Sequence, residues 1–167
     1  MKKVKKKGLM KPVHGNLIDL YPLASEHINS YLHHYSSLVQ TILHVSDRTQ
    51  EMYYLQLKIK EEAFFYGIAQ KASSTIIGAI EIRNPVYRSQ LYCWLNEQYW
   101  GNGYFQEAIQ LAANEYFQQS TYSSITARVD CKNRRSVAAL KKAGFQGQKV
   151  VPGAYGMQIE LILKKVS

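Results

Sequence analysis

Two rhythms of apolar and polar positions alternate along this chain. Asn16 to Leu23 reads as an opening strand closed by a turn near Pro22. Ser25 is a suitable N-cap for a helix with Ile28, Tyr31, Leu32 and Tyr35 on one face. Leu38 to Val45 is apolar and ambiguous in type. Asp47, with Gln50 three positions later, has the form of a capping box, and the helix it opens aligns Met52, Leu55 and Ile59. Strands then dominate. Phe64 to Lys71 and Thr75 to Arg83 form a hairpin around Ser73 and Ser74, Asn84-Pro85 breaks it, and Ser89 to Leu95 is the next strand. Gly103 to Gln118 is a long helix and Ser124 to Asp130 a strand. Asn133 to Ala143 is a short helix ending at Gly144, a glycine C-cap. Phe145 to Val151 and Gly156 to Lys164 make a final strand pair around Pro152-Gly153. No internal repeat or inter-domain linker interrupts this order.

Composition adds bounds rather than identity. A chain of 167 residues, 46% hydrophobic and 12% aromatic, suits one domain with a proper core. No apolar run approaches the ~20 residues of a membrane helix. The net charge of +9 is lopsided, because six lysines (2, 3, 5, 6, 7 and 11) lie in the first eleven residues without an acid among them. Residues 1–12 are therefore expected to be a basic flexible arm, and residues 13–167 a single domain. The arm is either a solvated tail or a weak handle for an anionic partner such as RNA or a membrane surface. The lysines are not followed by an apolar stretch of signal-peptide length, so a cytoplasmic protein is expected. Cys93 and Cys131 have no metal-ligand spacing around them and read as buried free thiols; no metal is expected.

The densest chemical signal is Gln98-Tyr99-Trp100-Gly101-Asn102-Gly103-Tyr104-Phe105-Gln106-Glu107-Ala108. Here a strand ends, a Gly-x-Gly turn follows, and a helix begins. Glycines without Cβ let backbone amides approach a ligand closely, and the helix start adds unpaired N–H groups and positive dipole. That combination holds pyrophosphate. It is not a dinucleotide fingerprint, because Gln106 stands at the third glycine position, and Gly-Lys-Ser/Thr of a P-loop is absent.

Gln98-x-x-Gly101-x-Gly103, together with Asn133-x-x-Ser136-x-x-x-Leu140-x-Lys142-x-Gly144-Phe145, resembles the GNAT superfamily of acyl-CoA N-acyltransferases. Tyr99-Trp100-Gly101, Glu107-Ala108, Ser136 with Leu140, and the early Leu20-Tyr21-Pro22-Leu23 look most like its RimJ/RimL branch. The resemblance implies an α/β (α+β) GNAT fold. Its mixed central sheet has about seven strands, about four flanking helices, and two splayed central strands that form a coenzyme A cleft. It also implies acetyl-CoA as cosubstrate. Trp94, Leu95 and Asn96 would pair with the pantetheine arm. Gln98, Trp100, Gly101, Asn102, Gly103, Tyr104 and Phe105 would hold the pyrophosphate, and Asn133, Ser136 and Lys142 would complete the site. Trp100 either touches ligand or packs on its helix.

Proton chemistry is less fully specified. Many members of the superfamily place a thiolate-protonating tyrosine seven residues after the motif asparagine, where this chain has Leu140. In the RimJ/RimL branch the serine matching Ser136 takes that role, though a hydroxyl there also suits capping its own helix or holding pantetheine. For a base, the strand before the turn offers only Gln90. Glu81, one strand over in Ile80-Glu81-Ile82-Arg83, is the nearest carboxylate, its plain alternative being a solvent-facing residue paired with Arg83. His33, His34 and Tyr155 are further candidates. Asn102 stands where a cation is common between the glycines. The resemblance thus implies direct acetyl transfer in a ternary complex to a primary amine, either a peptide or protein N-terminus or a small molecule. A non-catalytic acyl-CoA-binding or RNA-docking module is the alternative. A homodimer stays open.

Overall fold

The protein, seen here as a computed structural model, is described over residues 10–45, 47–61, 64–84 and 88–167. Its strands are β1 (Val13–His14), β2 (Ile18–Pro22), β3 (Phe65–Gln70), β4 (Ile76–Arg83), β5 (Gln90–Leu95), β6 (Ser124–Asp130), β7 (Gln146–Gly153) and β8 (Gly156–Lys164). They form one sheet in the order β1-β2-β3-β4-β5-β6-β8-β7, antiparallel except where β5 meets β6. The helices are α1 (Ile28–His34), α2 (Ser37–Ile42), α3 (Arg48–Lys60), α4 (Tyr104–Gln119) and α5 (Arg134–Lys142). This is the mixed α/β architecture expected, with one strand and one helix more than the approximate count. The added strand is the two-residue β1, paired with β2 through Val13 and Leu20. The added helix is α2, whose short apolar segment is fixed as helix by Ser36 accepting from the Val39 amide at 3.2 Å.

Two cores sandwich the sheet. On one face Ala108, Ile109, Ala112, Ala113, Tyr116 and Phe117 of α4 form a continuous apolar stripe at helical spacing. That stripe packs on Ile18, Leu20, Ile68, Ile77, Ile80 and Ile82. On the other face α1, α2 and α3 send Tyr31, Tyr35, Val39 and Leu55 against Phe65, Ile76, Ala79 and Trp94. Because both faces are covered, β3 and β4 are buried nearly end to end. Met10 also belongs to the first core, so packing starts inside the stretch expected to be a free arm. Lys11 is exposed, and the other five arm lysines lie outside the described residues.

Some local expectations shift. Ser25 does not cap α1; it begins a single 3-10 turn, Ser25–His27, capped by Ala24, and α1 follows. Asp47 caps α3 by accepting from the Thr49 amide at 2.8 Å. The inward face of α3 centres on Leu55 with Tyr54 and Ile59, while Met52 is turned outward. Cys131 is exposed rather than buried, whereas Cys93 keeps some exposure as a residue while its thiol lies inside.

Candidate functional site

The site begins where two strands part. β4 and β5 pair through six consecutive positions, from Gly78 opposite Leu95 to Arg83 opposite Gln90. β5 meets β6 only at Gln90 and Thr126, and beyond that level the two diverge. The β6-facing backbone edge of residues 91 to 95 is thereby left without a ladder partner, a place for an added strand-like chain. At the end of β5, the 3-10 turn Glu97–Tyr99 leads to Gly101 (φ +83°) and Gly103 (φ +79°) in the left-handed region, and α4 starts at Tyr104. A Cβ built on Gly101 would meet nothing within 4 Å. The turn is thus an open cradle of amides at a helix start.

Side chains anchor this turn from within. Asn96 accepts from the Gln98 amide at 3.0 Å and donates to the His34 carbonyl at 2.9 Å, tying β5 to α1. Trp100 Nε1 donates to the Leu95 carbonyl at 2.8 Å. Asn102, where a cation was expected, instead donates to the Tyr99 carbonyl at 3.1 Å.

A cleft of about 390 Å³ opens above the turn. Of the predicted site residues, Trp94, Leu95, Trp100, Gly101, Gly103, Tyr104, Phe105, Asn133, Ser136 and Lys142 line it. Asn96, Gln98 and Asn102 lie behind it as supports of the turn, and Glu81 stands apart. Trp100 therefore both packs and faces the cleft. Ser136 is freed from capping duty: Asn133 Oδ1 accepts from its amide at 3.2 Å and so caps α5. Ser136 lines the cleft, as does Cys93, whose thiol burial pushes well above the usual range.

Glu81 is not the solvent-facing strand residue of the plain reading. Its side chain is only 4% exposed, because α3 covers that part of the sheet. Its carboxylate meets Arg83 Nη2 at 3.0 Å, and the Tyr54 hydroxyl donates to it at 2.9 Å. Burial opposes the Arg83 charge, but the Glu81 carboxylate outweighs it and holds the guanidinium charged. Among the other candidates, His34 lies against Tyr99 in an edge contact and Tyr155 stacks on His44 with centroids 4.1 Å apart.

Three groups at the site were not anticipated. Val39, Ile42 and Leu43, from α2 and just beyond it, wall the cleft with apolar surface. Arg135 lies over the Trp100 ring at 4.6 Å, bringing to the cleft mouth a cation that Asn102 does not supply. Glu107 accepts from three backbone amides, of Asn16 (2.9 Å), Leu17 (2.8 Å) and Ile18 (2.9 Å), clamping the entry of β2 to the first turn of α4. Glu107→Ala strands those donors, and a loss of about 2–3 kcal/mol is expected from removing a charged acceptor. A Tm within a degree of the unaltered protein would contradict that clamp.

The lining carries Arg135 and Lys142 as its charged side chains and no carboxylate. With the open amide cradle, the donor set fits a polyanionic pyrophosphate joined to an extended arm that runs along β5. Among the described residues, no group of three or more His, Cys, Asp or Glu side chains is placed to hold a metal, and no helix is long and apolar enough to cross a membrane.

Known proteins share this arrangement. Residues 17–146 match the family model described as the acetyltransferase (GNAT) domain. No curated protein is significantly similar in sequence. Among solved structures, an acetyltransferase (GNAT family) from Bacillus anthracis superposes with a TM-score of 0.78 at 12% identity, covering 92% of this chain and 98% of its own. Mycobacterium smegmatis RimJ, in complex with CoA-disulfide, gives 0.74 at 16%, covering 94% and 88%. The ribosomal-protein-S5-alanine acetyltransferase from Vibrio fischeri gives 0.75 at 16%, covering 93% and 97%. The splayed strands, the glycine turn and the family match over most of the chain agree, and the protein belongs to the GNAT acetyltransferase family.

Proposed function

We propose that this protein transfers the acetyl group of acetyl-CoA to a primary amine by direct attack within a ternary complex. The observation that carries the reading is the unpaired β5 edge leading into the Gly101–Gly103 amide cradle, with the Ser136 hydroxyl in the same cleft. When bound, the cosubstrate supplies an activated thioester. The chain's own groups do the rest. Amides at Gly101 to Phe105 and the positive end of α4 hold the pyrophosphate, with Arg135 and Lys142 adding charge at the mouth. The backbone of Trp94 to Asn96 holds the arm extended and fixes the carbonyl in position. Unpaired amides along the parted strands stabilise the oxyanion. The Ser136 hydroxyl protonates the departing sulfur.

Glu81 is the assigned destination of the ammonium proton. Glu81 does not line the cleft, so in this reading the proton reaches it by way of water rather than by direct contact with the amine. The acceptors in view are a peptide N-terminus and a small amine. A cationic polyamine is disfavoured, since it would approach a protein of net +9. The lysines of residues 1–11 would add a weak, salt-sensitive attraction to anionic surfaces.

Release of free thiol from acetyl-CoA, followed across a panel of amines with mass detection of the acetylated product, tests the reading. Amine-dependent thiol is expected. Tight coenzyme A binding with no thiol from any amine would instead indicate a module that binds acyl-CoA without turning it over. If Glu81 takes the proton, Glu81→Gln lowers kcat/KM by about 10²-fold, and an added small-molecule base recovers part of the loss. A lowered Tm with kcat/KM unaltered would reduce Glu81 to a structural ion pair.

A further inference from the structure

The registers of the sheet place a row of side chains beneath the point where β5 and β6 part. Paired positions in a sheet point to the same face. Glu81 of β4 lies opposite Tyr92 of β5, Arg128 of β6 opposite Glu160 of β8, and Glu160 opposite Lys149 of β7. Tyr92 and Arg128 each stand two residues past the Gln90–Thr126 contact, so they share its level and face as well. The row therefore runs Glu81, Tyr92, Arg128, Glu160, Lys149. Its face is the one turned away from α4, whose core takes Leu91 and Leu95 of β5 and Ile125 and Ala127 of β6.

Within this row the acids are buried and the guanidinium groups look outward. Glu81 and Glu160 side chains are 4% and 7% exposed, against 35%, 40% and 54% for Arg83, Arg128 and Arg88. Glu160 holds Arg128 Nε at 3.0 Å and Arg88 Nη1 at 3.3 Å, and Glu81 holds Arg83 Nη2 at 3.0 Å. Arg83 also lies over the Tyr92 ring at 3.8 Å, while its Nε is buried with no acceptor among the described residues. Asp130, further along β6, commits one carboxylate oxygen to the Lys132 amide at 2.8 Å. Each buried acid thus fixes a guanidinium: Arg128 is held through Nε with its side chain 40% exposed, and Arg83 through Nη2 between the Tyr54 and Tyr92 rings. These are fixed cationic donors suited to anionic oxygen, beside the point where β5 and β6 part.

We propose that the acceptor is a primary amine that carries a carboxylate, and that Arg128 and Arg83 are the residues that select it. The inference rests on the transferase reading above and narrows its acceptor. An amine approaching the gap from this face meets Tyr92 and Arg128 about two residues, or ~7 Å, short of the level of Trp94. That spacing suits a side-chain carboxylate, as in an acidic amino acid or a peptide that begins with one, over a carboxylate adjacent to the amine. An acceptor with a second cation would instead face fixed guanidinium groups at short range, where like charges repel.

Matched pairs test this. A peptide amide beginning with Glu is compared with its Gln twin, and free glutamate with glutamine. Each is titrated calorimetrically into the coenzyme A-loaded protein and assayed for thiol release from acetyl-CoA. The Glu member of at least one pair is expected to bind about tenfold or more tightly, with KM lower to match, as for hydrogen bonds to a charged group. Which pair shows the effect separates a free amino acid from a peptide. Arg128→Gln, which leaves Glu160 its Arg88 partner, should erase the preference by weakening the acidic member alone. Arg128→Lys should restore part of it, and Arg83→Gln should act in the same direction. Equal affinity for both members of each pair, or an Arg128→Gln loss that falls on both alike, overturns the proposal even where thiol is released. A Glu preference in binding without thiol from any amine keeps the carboxylate site and overturns the transferase reading instead.

Discussion

Gly103→Val is expected to weaken coenzyme A binding by about 10²-fold or more while the protein stays folded. Two effects add. Gly103 sits at φ +79° as the residue that starts α4, a conformation in which a β-branched side chain is strained by about 1–3 kcal/mol. Strain alone would let the turn relax, and relaxation moves the amides that hold the pyrophosphate. The branched side chain also occupies the space from which a ligand reaches those amides. Crowding inside the protein is a lesser matter, because a Cβ at Gly103 would meet Leu17 Cδ1 at 3.4 Å, an ordinary contact. Gly101→Ala probes the neighbouring position: a Cβ there meets nothing of the protein within 4 Å, yet φ is +83°, so a loss reports backbone conformation or ligand approach and not crowding within the protein. Calorimetric titration with acetyl-CoA measures both variants. A folded Gly103→Val protein with unaltered affinity would place the pyrophosphate elsewhere.

The parts of this site that were legible in the sequence are those whose physics is local. The Gly101–Gly103 turn, the long helix after it and the short helix opening at Asn133 all rest on signals within a few residues, and each stands where its pattern placed it. Length limited the reading of α2. Six residues hold under two turns, too few to show a period, yet this helix and Leu43 after it provide the apolar wall of the cleft. Glu81 shows a different limit. Alternation of Ile80, Glu81 and Ile82 correctly put Glu81 on the opposite face from its neighbours, but alternation cannot say what covers that face. Here α3 does, and Tyr54 and Arg83 make the buried carboxylate tolerable. Glu107 and Arg135 act across long separations in the chain, on the amides of residues 16–18 and on Trp100, which no local pattern could have paired. Met10 followed a lysine run and was grouped with it, while its own apolar side chain had a place in the core.

Ser136→Ala is expected to lower kcat by about 10²-fold, the usual cost of a lost general acid, with little change in KM for acetyl-CoA. The structure removes one competing explanation in advance. Had Ser136 capped α5, its loss would cost stability, but Asn133 makes that bond and accepts from the Ser136 backbone amide, which alanine retains. Ser136 is the third residue of α5, in its first turn, where alanine keeps the backbone bond to Asn133. Tm should therefore hold steady. The position usually held by a tyrosine donor is Leu140, which is buried in the core and has no proton to give. Cys93 also lines the cleft, but burial holds its thiol well above the usual range, and a thiol is no better an acid than the coenzyme thiol it would have to protonate; Tyr99 and Tyr104 line the same cleft, so Tyr99→Phe and Tyr104→Phe are the controls. The distinguishing measurement is single-turnover transfer at several pH values. If the hydroxyl protonates the departing sulfur, thioesters of more acidic thiols should recover part of the lost rate, because a more stable thiolate needs less help. A rise in KM with kcat intact would make Ser136 a pantetheine contact. Wild-type turnover with unaltered KM would leave proton delivery to water.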